Sequence, residues 1–296
     1  MNLPSIWSAL EEINEILGDS YAYPAMDKTA SALSLSPDYF TWVAAVVLFG
    51  AEPFTVGQFM QMLPYGLARV NEDRFRAAVR QGYLSEEDEK LRASASGLGA
   101  ARQIFAAMDR SIASLRPLPA QPLQALVHLL YRLAGASFAM PEPPVHFLLD
   151  HKRAQREIGA TELIQQFERY ASELQGYRDD CYIATWGAHG VEGHTWDMLD
   201  LLSQGAALPL ADLHAKLSRR GVTEEAHAGD VRELVVREWA ELRAGMCHIT
   251  SAGRQARAEV EAKTERLFFQ PWSCLSAPEL AELLALATQL RDSLRR

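Results

Sequence analysis

Near the start of the chain, apolar residues recur at helical spacing: Ile6, Leu10, Ile13 and Leu17 form one stripe. A second such stripe, Leu163, Phe167, Tyr170 and Leu174, begins 157 positions later. Each precedes what reads as a tyrosine-containing loop, around Tyr21 and Tyr177. Further on, the chain matches itself at an offset of 156, pairing Phe40 with Trp196, Val43 with Leu199, Pro53 with Pro209, Phe75 with Val231 and Tyr83 with Trp239. Ser96 and Gly99 then pair with Thr250 and Gly253 at an offset of 154, and each glycine is followed 18 residues later by a proline, Pro117 or Pro271. Offsets that drift so little, with the elements in one order, point to a duplicated unit. The halves expected are 1–139 and 151–296, joined by a linker over 140–150 in which Pro141, Pro143 and Pro144 favour an extended connection.

Within each half the pattern predicts a helix, a loop, three short helices, a small hairpin and two longer helices. In the first half the short helices are expected at 37–49, after Thr55 as N-cap, and from Asn71 to a C-terminal cap at Gly82. Tyr83-Leu84 reads as a strand and 85–92 as the hairpin tip. In the second half Thr223 caps the third helix, Trp239 opens the first strand and 246–249 is the return strand. Three compact helices followed by a two-stranded wing describe a winged helix-turn-helix.

The run Ile249-Thr250-Ser251-Ala252-Gly253-Arg254, entering a long helix, resembles the end of the wing in MarR-type winged-helix regulators, and 96–102 is a weaker copy. The resemblance implies a mainly α fold with small β-wings, built from two MarR-like winged helix-turn-helix repeats. These would pack through their terminal helices, roughly 4–18, 99–135, 160–175 and 253–294. It further implies a ligand-responsive transcriptional regulator that binds double-stranded DNA as a monomeric, single-chain pseudo-dimer.

Composition bounds this reading. With 296 residues, 48% hydrophobic and 23% charged, the chain is too apolar for a disordered polymer, and 18 Gly and 14 Pro are too few for a fibrous one. Three scattered cysteines, Cys181, Cys247 and Cys274, form no disulfide framework and suggest a reducing, cytoplasmic setting. No signal peptide is expected from the acidic start, and the longest apolar run, 42–50, is about half a membrane span.

The net charge of −9 bears on DNA through its placement. Affinity for duplex DNA comes largely from Lys and Arg at phosphates. The first half offers Arg69, Arg74, Arg76 and Arg80, and the second Lys216, Arg219, Arg220 and Arg243. Against them stand the acids of 86–89 in the first wing, and Glu224, Glu225, Asp230 and Glu233 in the second recognition helix. The competing reading is therefore a winged-helix protein that has lost DNA contact and binds a small molecule, with an enzymatic role left open.

The densest run of functional residue types is 179–196, expected as a loop before the second winged domain. Cys181, Tyr182, Trp186, His189, His194 and Trp196 are its candidate pocket residues, with the aromatic rings as apolar contacts and His189 as a polar anchor. As core anchors, the same tryptophans would carry no site at all. The spacing fits no closed metal pattern, and neither a phosphate loop nor a nucleophile elbow is present, so no metal, cofactor or catalytic residue is expected.

Overall fold

The computed structural model describes residues 2–155, 161–205 and 207–295. It is mainly helical, with small antiparallel strand pairs. No described helix is long and apolar enough to cross a membrane. The chain forms two compact units that cut across the sequence halves. One comprises 1–50, 95–181 and 266–296, and the other 51–94 and 182–265.

The first unit is helical. Its members are α1 (Leu3–Leu17), α2 (Tyr23–Ala32), α3 (Tyr39–Phe49), α6 (Ala95–Ala113), α7 (Ala120–Phe138), α8 (Phe147–Gln155), most of α9 (Leu163–Gly187) and α14 (Ala277–Leu294). The stripe Ile6, Leu10, Ile13 and Leu17 is buried, and α1 lies along α14, which buries Leu283, Ala287 and Leu290. Leu126, Leu130 and Leu133 of α7 extend that core. The two longer helices expected after the first hairpin are α6 and α7, and 115–119, with Pro117 and Pro119, ends one before the next begins.

The two expected tyrosine loops are helical. Tyr21 lies in a π-helical turn, Gly18–Ala22, leading into α2, and Tyr177 sits within α9, fully buried. Gly176 and Asp180, on either side of Tyr177, serve the packing of α8 instead. A Cβ on Gly176 would come within 2.9 Å of the Leu148 carbonyl oxygen, so the glycine admits α8 at close range. The carboxylate of Asp180 accepts the backbone N–H groups of Leu148 and Leu149 at 3.0 and 2.9 Å, capping the start of α8.

The second unit holds both β-hairpins and the short helices directly before each. Its first part contains α4 (Val56–Met62), α5 (Ala68–Arg80), β1 (Leu84–Glu87) and β2 (Lys90–Ala93). Thr55 caps α4 in a reciprocal capping box with Gln58. Helix α5 begins three residues before the expected Asn71, and the acidic run is itself strand, turning at Asp88 and Glu89, both at positive φ. Phe59 and Phe54 pack edge-on to Phe75, at 5.1 and 5.6 Å, and Phe54 bridges to Leu91 as a third edge of the wing.

The second part contains α10 (Gly193–Ser203), β3 (Leu208–Pro209), α11 (Leu210–Leu217), α12 (Glu224–Val236), β4 (Ala240–Arg243), β5 (Met246–Ile249) and most of α13 (Ser251–Phe269). Its wing is a sheet of order β3-β5-β4. Trp196, Leu199, Leu213, Val231, Leu234 and Cys247 fill the core between these helices and the wing.

The two wings close alike. Ser94 Oγ donates to the Gly82 carbonyl and Thr250 Oγ1 to the Glu238 carbonyl, both at 2.6 Å, and each residue's N–H bonds the carbonyl at the head of the hairpin, Tyr83 or Trp239. Ser94 is therefore the partner of Thr250, and Gly97 that of Gly253. These pairs lie 156 residues apart, against the 154 expected from Ser96 and Gly99.

Candidate nucleic-acid interface

A helix-turn-helix reads DNA with the exposed face of its third helix, whose other face must be held by the first two. In the second winged domain that helix is α12. Thr223 accepts the Ala226 N–H at 3.2 Å and starts the helix, as expected. His227, Asp230, Val231 and Leu234 point inward, while Glu224, Glu225, Arg232 and Val236 are exposed. Asp230 thus belongs to the interior and not to the anions of the reading face, and Glu233 is neutralised by Arg237 at 2.6 Å. The acids left on that face are the two of the first turn, where they complement the helix dipole.

The inward face is unusually polar. Asp230 Oδ1 lies 2.7 Å from His194 Nδ1 and accepts the Thr195 hydroxyl at 2.6 Å, so α10 and α12 are joined through one oxygen. His227, fully buried, lies Nδ1 to Nδ1 at 3.0 Å from His214 of α11. The hydrogen bond to Asp230 raises the His194 pKa above its ordinary value, whereas burial lowers that of His227.

The cations named from the sequence fare differently. Lys216 is exposed on α11, and Arg243 on the second wing pairs with Glu241 at 2.8 Å. Arg220, in the turn before α12, pairs with Asp197 at 2.8 Å. Arg219 occupies the same turn, and its side chain lies outside the described residues. On α5, Arg69 and Arg80 are exposed, Arg74 is half-buried, and Arg76 is held by Glu72 and Asp73 at 3.2 and 3.3 Å. Between α5 and the first wing lies an open groove of about 380 Å³ floored by Phe75 and Leu91 and edged by Glu72, Arg76, Glu86 and Glu89. That face carries more anion than cation. Arg232 of α12 and Arg254 at the start of α13 are exposed cations that the sequence reading passed over. Their helical positions were visible, but which way they faced was not.

The candidate pocket run is not a loop. Cys181, Tyr182 and Trp186 lie in the last turns of α9, and only 188–192 connects it to α10, because 163–187 holds no proline to stop the helix. Cys181 belongs to the helical unit, where it is buried. The other five belong to the winged unit and contribute to one aromatic cluster and the polar network above. The Trp196 ring lies between Trp186 and His189, stacked at 6.4 and 5.8 Å, with Trp239 edge-on at 6.1 Å. Trp196 Nε1 donates to the Tyr182 hydroxyl at 2.7 Å, and the His189 carbonyl accepts from Arg237 at 3.1 Å. Among the described residues no group of three or more His, Cys, Asp or Glu is placed to hold a metal ion.

The two winged domains also touch each other. The turn between α4 and α5 rests on the second domain: Trp186 Nε1 donates to the Tyr65 hydroxyl at 3.3 Å, and the Arg220 guanidinium lies 4.9 Å from the centre of the Tyr65 ring.

Residues 160–296, which include α10–α12 and the second wing, match the model of a helix-turn-helix family and so support a helix-turn-helix DNA-binding domain in this segment. No curated protein and no solved structure matches the chain.

Proposed function

We propose that the protein is a MarR-like transcriptional regulator that binds duplex DNA asymmetrically, with the second winged domain making the principal contact. The observation that carries this is α12. Its inner face is fixed to α10 and α11 by the Asp230 and His227 networks, and its outer face, together with Lys216, Arg232, Arg243 and Arg254, is open to solvent. The family match over 160–296 supports the same segment. The first winged domain has a different role. Four acids in a row at 86–89 and the acidic groove beside α5 would repel phosphate. The matching order of three helices, hairpin and two helices in each half supports a duplicated ancestor whose copies have diverged in charge.

The test is a fluorescence-anisotropy titration of labelled duplex from the gene's own upstream region, over a range of salt concentrations. With three or four phosphate contacts, log K should fall with log salt at a slope of about −2.7 to −3.6. Absence of salt-dependent binding at low ionic strength would remove this reading.

A further inference from the structure

The contact between the winged domains uses the parts of each that DNA would need. The turn 63–67 sits against the start of α10, where a Cβ on Gly193 would overlap the Pro64 carbonyl oxygen. A Cβ on Gly66 would come within 3.2 Å of the Arg220 carbonyl oxygen. Gly221, at φ +69°, faces Val70 of α5 so closely that a Cβ would lie 2.6 Å from Val70 Cγ1. Three glycines therefore let backbone meet backbone or side chain with no space between. Tyr65 completes the seat, hydrogen-bonded to Trp186 on one side and covered by Arg220 on the other.

Gly221 lies two residues before the N-cap of α12, and Val70 is in the first turn of α5. The N-terminal residues of recognition helices are the ones that reach base edges, and successive major grooves on one face of the duplex are about 34 Å apart. With the start of α5 in van der Waals contact with the turn that leads into α12, the two helices cannot enter successive grooves. The first turn of α12 is exposed at Glu224 and Glu225, but the turn that leads into it is covered, since Val70 and Arg74 of the first domain stand beside Gly221. Arg220, which would otherwise face phosphate, is held by Asp197 and Tyr65.

We propose that this contact is an autoinhibitory clasp: the turn 63–67 of the first winged domain holds the second in a form closed to DNA, and DNA binding requires its release. The proposal rests on the DNA-binding reading above and gives the first winged domain a function compatible with its acidic face. If only a fraction of molecules is open, the measured affinity is reduced by that fraction.

Two manipulations test it in the full-length chain. Tyr65→Ala removes the hydrogen bond to Trp186 and the cover on Arg220, and should tighten DNA binding by about tenfold or more. The pair Val70→Cys/Gly221→Cys, in a Cys274→Ser background, has a Cβ–Cβ separation of 3.6 Å, within the range a disulfide needs. Oxidation should lock the clasp and weaken binding about tenfold or more relative to the same protein reduced. Strain from Gly221→Cys at φ +69° is common to the oxidised and reduced arms, so the comparison between them stands if Tyr65→Ala folds poorly. If the oxidised and reduced forms bind DNA equally, the clasp is wrong and the DNA-binding reading survives. If no form binds with a salt dependence, that reading fails and the clasp with it.

Discussion

His194 Nδ1 and Asp230 Oδ1, 2.7 Å apart, pin the first helix of the second winged domain to its recognition helix. The Thr195 hydroxyl shares the same oxygen, so one carboxylate serves two donors from α10. Counted back by 156, the corresponding first-half positions of His194, His214, His227 and Asp230 hold Asp38, Gln58, Asn71 and Arg74. The first half thus has no imidazole at any of these places. Asp230→Ala should cost about 2–3 kcal/mol, because it strands the buried Thr195 hydroxyl and the partly buried His194 imidazole, and the loss should appear in urea unfolding followed by tryptophan fluorescence.

The same network makes stability depend on pH in two opposed senses. The pKa of His194 is raised above 6.5, so its contribution is complete below that value and is lost as pH rises through the raised pKa. The pKa of His227 is lowered, so its contribution is present above 6.5 and is lost as pH falls toward the lowered pKa. His227→Asn, the residue found at Asn71, should flatten the acid-side fall in Tm while leaving the alkaline-side fall in place. Thermal melts between about pH 5 and about pH 8.5 would show this, and an unchanged acid-side slope would count against it.

Two helical glycines that look alike in the sequence should respond in opposite ways to alanine. A Cβ on Gly253 would overlap the Trp239 carbonyl oxygen and press on Ile249, so Gly253→Ala should destabilise by about 1–3 kcal/mol. Around Gly99 nothing lies within 4 Å, and Gly99→Ala should stabilise by about 0.5–1 kcal/mol. Paired thermal melts decide it.

In the helical unit, Arg169 is almost fully buried and bonds Asp109 at 2.5 Å and Glu168 at 3.1 Å. Burial pushes the Asp109 carboxyl upward, with the guanidinium opposing it. Arg169→Met should therefore cost about 3–4 kcal/mol, and adding Asp109→Asn should recover part of it. Chemical denaturation of the single and double variants measures the recovery, and strict additivity would mean the pair is not coupled.

Arg232 offers the most direct check on the DNA-facing side. As an exposed cation on α12, its replacement in Arg232→Ala should reduce the salt slope of DNA binding by about 1 and weaken binding to all sequences alike. A change confined to one base position would make it a base-reading residue instead.

Much of the winged architecture was legible in the sequence because local rules set it. Thr55 and Thr223 are capping residues, and both cap as expected. The return strand over 246–249 was placed from its own residues. What misled was a residue type serving tertiary contact where it usually serves a turn. Gly176 lets α8 approach and Asp180 caps it, within the stretch around Tyr177 that is expected as a loop. Direction was also hidden. Asp230 has the same composition whether it faces DNA or the core, and only the positions of His194 and Thr195 show that it faces inward. Likewise the aromatic rings of 182–196 gave no sign, taken singly, that they would stack on one another.

The chain crosses the border between its two compact units four times, at 50/51, 94/95, 181/182 and 265/266. No single cut can therefore liberate either unit. A recombinant fragment spanning 160–296, the natural choice from the family match, would strip the winged unit of its 51–94 portion and the helical unit of everything before 160. Such a fragment would expose the seat of Tyr65 on Trp186 and the face of α14 that receives α1. Any sticky or insoluble behaviour it showed would reflect that amputation and not the character of the intact protein.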